Sequence, residues 1–536
     1  MTGTRFFREP VLRPLVLGFL FIAALGIRIY GINQPPMEFY PVRQYHGALL
    51  ARGFYEWLLT GNLKTVPPDG IIEPPILELA TSLAYLVLGG EHLWVPRLLS
   101  TLCWIAGGVF IYLIAKRIVS ANAAVFSVFF FLFVPYSVFA SRAVMPDPLM
   151  VMLLVAGIFT ILRYHEQPST RRLIVAAAAS SLAIFAKPGI CLFQLFGAFV
   201  CLAVYRQGVW RSLINPHFLM FAVVSILPTG LYYLYGTVVA AFLRGQASGK
   251  VEPQLLLTVS FWRDWIASIW VVVGAIAFIG ALFGVLLFRK GLPRALMIGL
   301  WSGYLLFGVT FTHHIHTHSY YSLQLIPVVA LSLAPVGAWV MQYLNQTLNP
   351  NHLGRVALRS YAGVIVLAFS LSVLVVGIAE YKLGLVEYGS SITRIAEQQR
   401  VAPIYARYVA AFQEIGQAVN HSDRTLFLYG CPRYVGQPNC GWALMYHGRL
   451  SGHSWPYPER IVREGKIQMV IDEKREINAE RRLSQYLKNR SPEYFIISQG
   501  WWKAEETKDL RRLLTENFPM TARGAGYVVF DLTERT

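Results

Sequence analysis

Charged residues are scarce in this sequence of 536 residues. They make up 14% of it, while hydrophobic residues make up 55%. Soluble globular proteins carry roughly 25% charged residues. The composition therefore excludes a disordered chain, a fibrous protein and an ordinary soluble enzyme, and it predicts a polytopic α-helical membrane protein.

Acidic residues are scarcest in the first 380 positions, which hold 12 of the 29 in the chain, while Lys and Arg together number 47. A charge near the bilayer centre costs about 2.5–3.5 kcal/mol, so each acid in this part needs a special location or role. The net charge of +18 is explained by basic loops kept on the cytoplasmic side of a membrane. We expect no nucleic acid among the partners.

Cysteine is also rare, with five residues and no CxxC or Cys/His spacing typical of zinc, so no metal site is predicted. Cys103, Cys191 and Cys201 lie in apolar runs, where free cysteine is a small apolar filler. Cys431 and Cys440 lie in a loop rich in Gly and Pro. In an oxidising compartment they are expected to form a disulfide, and two free thiols are the alternative.

About eleven apolar runs are long enough to cross a membrane. The first run continues into Arg28 without a small-residue cleavage site, which favours an uncleaved anchor over a signal peptide. The apolar stretch at 75–90 is short and is expected to lie at the membrane interface. The predicted spans are 12–32, 98–117, 122–140, 148–163, 172–186, 189–205, 217–236, 265–288, 294–312, 321–344 and 357–380.

The basic loops between these runs all fall on one side if the 75–90 stretch does not cross the membrane. The positive-inside rule then places the N-terminus in the cytoplasm and the part after the last span outside. The chain is predicted to form a transmembrane module at 1–381 and an extracytoplasmic α/β domain at 382–536. A first outer loop with interfacial helices is expected at 33–97. Strand-like runs in the outer domain lie at 426–429, 494–497 and 526–531.

The first outer loop carries two candidate carboxylates. Glu38 follows the first helix closely and would lie at the membrane surface, where it could take a proton. Arg43 could hold a phosphate. The alternative for Glu38 is an ordinary interfacial acid paired with Arg43 or Arg52. Glu73 precedes the short apolar stretch.

Two outer turns carry further candidates. Arg142 and Asp147 flank a Pro-containing turn, where they form a buried pair with each other or orient a loop that carries a substrate. Lys187 begins a later outer turn, and Arg263 lies just before a span. Both cations suit an anionic ligand at the membrane surface, and both are equally typical of snorkelling anchors.

Four histidines lie within six residues at the outer end of a span. They suit metal ligation, donation to a lipid phosphate, or a structural role at the interface. Metal ligation is the weaker interpretation because no carboxylate lies nearby in the sequence. The residues are His313, His314, His316 and His318.

The order of these features resembles the GT-C membrane glycosyltransferases, in particular the group of protein O-mannosyltransferases and the aminoarabinose lipid A transferase. The shared pattern is an outer-loop acid, a Glu-Pro-Pro segment, an Arg…Asp turn and a His-x-Tyr-Tyr…Pro turn. The resemblance covers about residues 12–345. The matching residues are Glu38, Glu73-Pro74-Pro75, Arg142 with Asp147, and His318-Ser319-Tyr320-Tyr321 with Pro327.

The resemblance implies an inverting enzyme that moves a monosaccharide from a polyprenyl-phosphate donor to an acceptor hydroxyl on the outer face. It implies Glu38 as the general base, with Glu73 as a second candidate. Asp147 would position the first loop or an active-site group, and fixed cations would stabilise the leaving phosphate. The implied substrate contacts are Arg43, Glu73, Arg142, Lys187, Arg263, His318, Tyr320 and Tyr321.

The implied partners are the membrane, a polyprenyl-phosphate-linked sugar and an acceptor that is a glycan, a lipid or a protein. We expect a multi-pass protein of a bacterial inner (plasma) membrane that needs no cofactor, with a divalent cation left open. A lipid or saccharide transporter or flippase is an alternative, but it would require ionisable residues at mid-membrane and internal repeats. A non-enzymatic envelope-assembly protein and a polymerase or ligase that uses pyrophosphate-linked oligosaccharides are further alternatives.

Overall fold

The computed structural model describes residues 12–62, 70–71, 73–187, 189–240, 242–243, 251–347, 391–430, 440–456, 459–463, 466–470, 479–504 and 507–535. The chain folds as two compact units. One, here called the helical unit, consists of 1–32, 71–77 and 94–394. The other, here called the sheet unit, consists of 33–70, 78–93 and 395–536. The predicted span at 357–380, the predicted boundary at 381 and Cys431 lie outside the described residues.

Helices dominate the first 347 residues, as the apolar composition predicts. A 3-10 turn at Pro253–Leu257 precedes α12, and another at Ser319–Ser322 follows α15. The helices are α1 (Leu12–Ile29), α2 (Pro41–Thr60), α3 (Ile76–Leu88), α4 (Trp94–Ile118), α5 (Ala121–Phe133), α6 (Pro135–Ala140), α7 (Asp147–Glu166), α8 (Thr170–Ala186), α9 (Ile190–Gln207), α10 (Val209–Leu213), α11 (Pro216–Leu234), α12 (Val259–Val273), α13 (Ala275–Leu287), α14 (Leu292–Thr310), α15 (Thr312–Thr317) and α16 (Leu325–Thr347).

Six helical stretches of the described residues are long and apolar enough to cross a membrane, or seven if a bent pair counts as one span. This finding supports a multi-pass membrane protein, while the count of eleven stays a prediction. The six are Trp94–Ile118, Asp147–Glu166, Ile190–Gln207, Pro216–Val239, Leu292–Thr310 and Ser319–Tyr343.

Two of the predicted continuous spans are broken. The run at 265–288 forms α12 and α13, which meet at 91°. Gly274 joins them with φ 80°, a left-handed conformation that glycine adopts without a steric penalty. The run at 122–140 is interrupted before Pro135, whose ring cannot continue the preceding helix.

Helices α9 and α14 pack with their backbones in close approach, and glycines make this possible. A methyl group built on Gly299 would overlap the carbonyl oxygen of Gly197, and one built on Gly303 would collide with the backbone at Gln194. Small residues let membrane helices approach closely and gain packing energy.

We expect the change Gly299→Ala to destabilise the protein by about 1–3 kcal/mol, because the added methyl must push two backbones apart. Gly230→Ala is the matched control, since Gly230 also lies in a membrane helix but has no atom within 4 Å of the added methyl. Thermal unfolding in detergent measures both. Equal melting temperatures for the two variants would show that the α9–α14 contact is not close.

The C-terminal residues form a mixed α/β fold. Its main sheet has the strand order β2-β1-β5-β7-β6, with β1 parallel to β2 and β5, and with β7 antiparallel to β5 and β6. The strands β3 and β4 form a separate antiparallel pair. The elements are α17 (Ser391–Ala418), β1 (Thr425–Leu428), α18 (Gly441–Gly448), β2 (Gly452–Ser454), β3 (Glu459–Arg463), β4 (Lys466–Val470), α19 (Ala479–Arg490), β5 (Tyr494–Ser498), α20 (Gln499–Trp502), α21 (Lys508–Asn517), β6 (Met520–Arg523) and β7 (Tyr527–Asp531).

The three strand predictions are confirmed as β1, β5 and β7. Alternate side chains of these strands are buried in one apolar core, as expected for strands covered by helices. The core includes Leu426, Leu428, Phe495, Ile497, Val528 and Phe530. Cys440, at the start of α18, is disulfide-bonded, whereas its predicted partner Cys431 lies outside the described residues, so the pairing stays a prediction.

Helix α2 of the first outer loop packs against α18 within the sheet unit. The Tyr45 hydroxyl and Nε2 of His447 are 2.8 Å apart. The rings of His46 and Trp442 have centroids 4.9 Å apart. The first half of α2 is buried.

Burial lowers the pKa of the His447 ring to about 3, and the positive charge of Arg52 contributes to this shift. An unfolded histidine has a pKa of about 6.5, so between these values only the unfolded chain takes up the proton. The contribution of this pKa shift to the free energy of unfolding is fully present above pH 6.5 and is lost as the pH falls toward 3.

We therefore expect the α18 amides to lose hydrogen-exchange protection by up to about 2 kcal/mol between pH 7.5 and pH 5. His447→Gln keeps a polar partner for Tyr45 but cannot titrate, so it should flatten this dependence. Hydrogen exchange at both pH values measures the effect. If the variant shows the same pH dependence as the wild type, groups other than His447 cause the loss of protection.

Candidate active site

A buried ion pair joins two turns of the helical unit. The Lys187 Nζ donates to Oδ1 of Asp147 at 2.6 Å, and the two residues are 2% and 1% exposed. Asp147 is the first residue of α7, where the helix dipole stabilises a negative charge. Lys187 directly follows the last residue of α8. Burying both charges is costly unless they stay paired, so this pair fixes the two turns together.

The chain direction after Lys187 depends on Gly189. This residue has φ 87° and directly precedes α9, and a side chain there would also crowd the Phe311 ring. Glycine adopts this conformation at little cost. The sequence therefore places the ammonium of Lys187 at a sharp turn between two membrane helices.

A second carboxylate and two aromatic rings complete the cluster. Oε1 of Glu73 lies 3.8 Å from Nζ of Lys187, and the Glu73 side chain is 18% exposed. The ring centroids of Tyr320 and Tyr321 lie 4.9 Å and 5.3 Å from the same Nζ, within the range of cation–π attraction. We call these five residues the Lys187 cluster.

The Lys187 cluster holds one ammonium and two carboxylates. The ammonium is shared between the carboxylates and the ring faces, and the more exposed group is the carboxylate of Glu73. A carboxylate accepts hydrogen bonds, so this arrangement suits the hydroxyl groups of a sugar. It also makes Lys187 a residue that positions Asp147 and Glu73.

Buried arginines anchor the turn that leads to Asp147. Nε of Arg28 donates to the Ser141 hydroxyl at 2.6 Å, and Nη2 of Arg28 donates to the Leu132 carbonyl at 2.7 Å. Nη2 of Arg142 donates to the Gly31 carbonyl at 3.0 Å. These bonds tie the 141–146 turn to the end of α1, which restricts where Asp147 can lie.

Glu38 lies in the sheet unit and is 8% exposed. Gln44, one turn into α2, donates to the carbonyls of Pro36 and Phe39 on either side of it. Tyr40, which precedes α2, has φ 41° in the left-handed region, a strained conformation for a residue with a Cβ. The backbone that presents Glu38 is therefore held in a defined and strained path.

The remaining predicted cations differ in their surroundings. Arg43 is half-buried on α2 of the sheet unit. The Arg263 side chain is 68% exposed and pairs with its neighbour Asp264 at 2.8 Å. Nδ1 of His318 lies 2.8 Å from the Thr317 hydroxyl, and the ring of His318 lies 5.4 Å from that of Tyr320. His318 is thus next to the Lys187 cluster, and Arg263 belongs to a different, exposed pair.

The other histidines of this turn have partners of their own. Nδ1 of His313 lies 3.3 Å from Oε1 of Glu252, and Nδ1 of His316 lies 2.7 Å from the Thr312 carbonyl. The ring of His314 stacks on that of Tyr321. In the part of the chain that the structure describes, no group of three or more His, Cys, Asp or Glu side chains is placed to hold a metal ion.

Sequence reasoning missed several partners in these sites. The Tyr136 hydroxyl lies 2.7 Å from that of Ser319 and ties α6 to the turn that carries Tyr320. Arg52 pairs with Glu91 at 3.0 Å, and its guanidinium lies over the Tyr446 ring. Pro135 lies in the middle of an apolar run, and its ring predicts the helix break after which Tyr136 reaches this turn.

Comparison with known proteins gives a match to one family model over part of the chain. Residues 72–233 match the family model for dolichyl-phosphate-mannose-protein mannosyltransferases. The matched stretch contains Glu73, Asp147 and Lys187. The predicted resemblance to the GT-C membrane glycosyltransferases is confirmed. No curated protein matches the sequence.

Two crystal structures of one protein share the fold of this chain. The apo crystal structure of ArnT from Cupriavidus metallidurans superposes with a TM-score of 0.56 at 16% identity, covering 97% of this chain and 98% of that chain. The structure of the same ArnT bound to undecaprenyl phosphate gives 0.55 at 17% identity, with 96% and 98% covered. A looser match, with a TM-score of 0.49 at 12% identity, is the oligosaccharyltransferase AglB from Archaeoglobus fulgidus, with 91% and 70% covered.

Proposed function

We propose that this protein is an inverting glycosyltransferase that moves a monosaccharide from a polyprenyl-phosphate donor to an acceptor hydroxyl on the outer face of a bacterial inner membrane. The observation that carries the proposal is the buried Lys187 cluster, which lies largely in the stretch matched by the mannosyltransferase family model. Two features support the lipid carrier. The helices are apolar enough to lie in a bilayer, and ArnT, which shares the fold, binds undecaprenyl phosphate.

The proposed reaction is a single displacement at the anomeric carbon. The acceptor oxygen forms a bond to that carbon, the bond from the carbon to the phosphate oxygen breaks, and the electron pair leaves with the polyprenyl phosphate. The carboxylate of Glu38 takes the proton of the acceptor hydroxyl, which is the work of a general base.

The Lys187 cluster is proposed to orient the sugar. Glu73, its most exposed carboxylate, accepts hydrogen bonds from sugar hydroxyls, while Lys187 and Asp147 hold it in place. An orientation fixed before reaction removes much of the entropic barrier. Tyr320 and Tyr321 offer ring faces to the same ligand, and Arg43, Arg263 and His318 are the candidates for binding the leaving phosphate.

The test is an incubation of the purified full chain in detergent with undecaprenyl-phosphate sugars labelled in the sugar, together with extracted envelope lipids and glycans as acceptors. The donors are the mannose, arabinose, aminoarabinose and galacturonate forms. We expect one labelled donor to be consumed while the label appears in a new product. A flippase or an assembly protein would leave every labelled donor intact, and no labelled product would form.

A further inference from the structure

A cavity of about 300 Å³ opens at the far end of the helical unit from Asp147. It lies where α7 and α9 end and α11 begins. His165, one of its lining residues, is eighteen positions along α7 from Asp147, which is about 27 Å of helix. The loops here are basic and are predicted to face the cytoplasm. The proposed transfer reaction uses none of the residues of this cavity.

A buried imidazole lines the cavity. His165 is 3% exposed, and among the described residues its Nε2 has no hydrogen-bond partner. Its ring packs against two aromatic rings, with the centroids of Tyr164 and Phe199 both at 4.9 Å. A buried polar nitrogen is normally paired in a folded protein, so its presence at a cavity wall indicates a ligand that it binds.

The other polar groups of the cavity wall bind one another and offer a ligand mainly hydrogen-bond donors. The Asn215 amide nitrogen donates to Oε1 of Gln207 at 3.2 Å, and Oδ1 of Asn215 accepts from the His217 backbone N–H at 2.9 Å. Nδ1 of His217 lies 2.8 Å from the Tyr164 hydroxyl. The two amide oxygens thus accept hydrogen bonds within the wall, and the amide nitrogen of Gln207 is a donor for a ligand. Nε2 of His217 is a second donor when the Tyr164 hydroxyl donates to Nδ1.

The charge of the wall is positive. Arg206 lines the cavity, no Asp or Glu does, and no ion pair of the described residues involves Arg206. The nearest acid in the sequence, Glu166, is engaged by Arg117 at 2.9 Å and by Arg163 at 3.4 Å. A wall of donors with a guanidinium and no carboxylate selects an anion, and arginine binds phosphate oxygens especially well.

We infer that this cavity is a binding site for a phosphate group at the membrane surface, supplied by an anionic lipid headgroup or by free phosphate. Arg206 contacts the phosphate oxygens, with His165 and Gln207 as further donors. The ring of Phe199, stacked on Tyr164 at 5.7 Å, gives an apolar floor to the same cavity. Its place at the ends of membrane helices is where lipid headgroups lie.

The test compares Arg206→Gln with Arg171→Gln in the purified full chain. Arg171 is an exposed arginine on the neighbouring helix start and does not line the cavity. Lipid binding is measured by native mass spectrometry with phosphatidylglycerol and with diacylglycerol of the same acyl chains, which lacks the phosphate. Calorimetry with inorganic phosphate forms the second arm.

We expect Arg206→Gln to weaken phosphate-dependent binding about tenfold, with less than a twofold change for Arg171→Gln and no difference for diacylglycerol. Tighter binding of phosphatidylglycerol than of inorganic phosphate assigns the site to lipid, and equal binding assigns it to free phosphate. The inference is overturned if both arginine variants weaken binding equally, or if diacylglycerol binds as tightly as phosphatidylglycerol. His165→Phe should show a smaller loss in the same direction.

Discussion

Replacing Lys187 with methionine should abolish sugar transfer and lower the free energy of unfolding by about 3–5 kcal/mol. Lys187 and Asp147 are both almost completely buried, so the change removes the ammonium that binds Oδ1 of Asp147 in a medium of low polarity. The hydrogen bond of 2.6 Å between them is lost as well. Thermal unfolding and the transfer assay measure the two effects separately.

Two further variants separate the structural part of this effect from the catalytic part. Lys290→Met removes an exposed lysine of the same unit and should change neither measurement. The double change Lys187→Met with Asp147→Leu removes both charges, so it should recover most of the stability while transfer stays absent. A Lys187→Met protein as stable and active as Lys290→Met would remove the Lys187 cluster from the active site.

The change Glu38→Gln is expected to reduce transfer by about 10²–10⁴-fold with little loss of stability. Glutamine keeps the shape of the side chain and can still form hydrogen bonds, but it cannot take a proton. Gln44 donates to the backbone carbonyls on both sides of Glu38 in either variant. The measurement is single-turnover transfer at saturating donor, which separates chemistry from binding.

Glu56→Gln is the control, because Glu56 lies on the same helix α2 and is partly exposed. It should transfer sugar at the wild-type rate. Glu73→Gln should raise the KM for the donor more than it lowers kcat, as expected for a residue that orients the sugar. If Glu73→Gln instead abolishes chemistry while Glu38→Gln stays active, the general base is Glu73.

Local sequence patterns were sufficient for three of the seven strands that the described residues form. The strands β1, β5 and β7 are short runs of apolar and β-branched residues between turn residues, and such runs specify a buried strand wherever they lie. Breaks were harder to predict, because Gly274 and Pro135 lie within otherwise continuous apolar runs. An apolar run specifies burial or membrane insertion, whereas the angle between its halves depends on one residue's backbone conformation.

The partners of the charged residues could not be derived from the sequence. Asp147 binds Lys187, forty positions away. Arg52 was considered for Glu38, yet it binds Glu91. Side chains distant in the sequence meet only after the helices pack, and the packing of α8 against α7 is set by many apolar contacts rather than by a motif.

The packing partner of the predicted first outer loop could not be derived from the sequence either. The Tyr45 and His46 side chains of α2 pack on α18 of the sheet unit. The sequence of the loop does not predict that it packs on α18. What the sequence did supply was the family resemblance, which rests on Glu38, Glu73, Arg142 with Asp147, and the Tyr320-Tyr321 pair.

The most direct test of the account is to follow the leaving group. In the reaction of the wild-type protein with its labelled donor, mass spectrometry should detect one polyprenyl monophosphate for every sugar transferred, and none with Lys187→Met. A donor that is recovered intact, or a carrier that is released as a pyrophosphate, would contradict a glycosyl transfer from a polyprenyl-phosphate sugar.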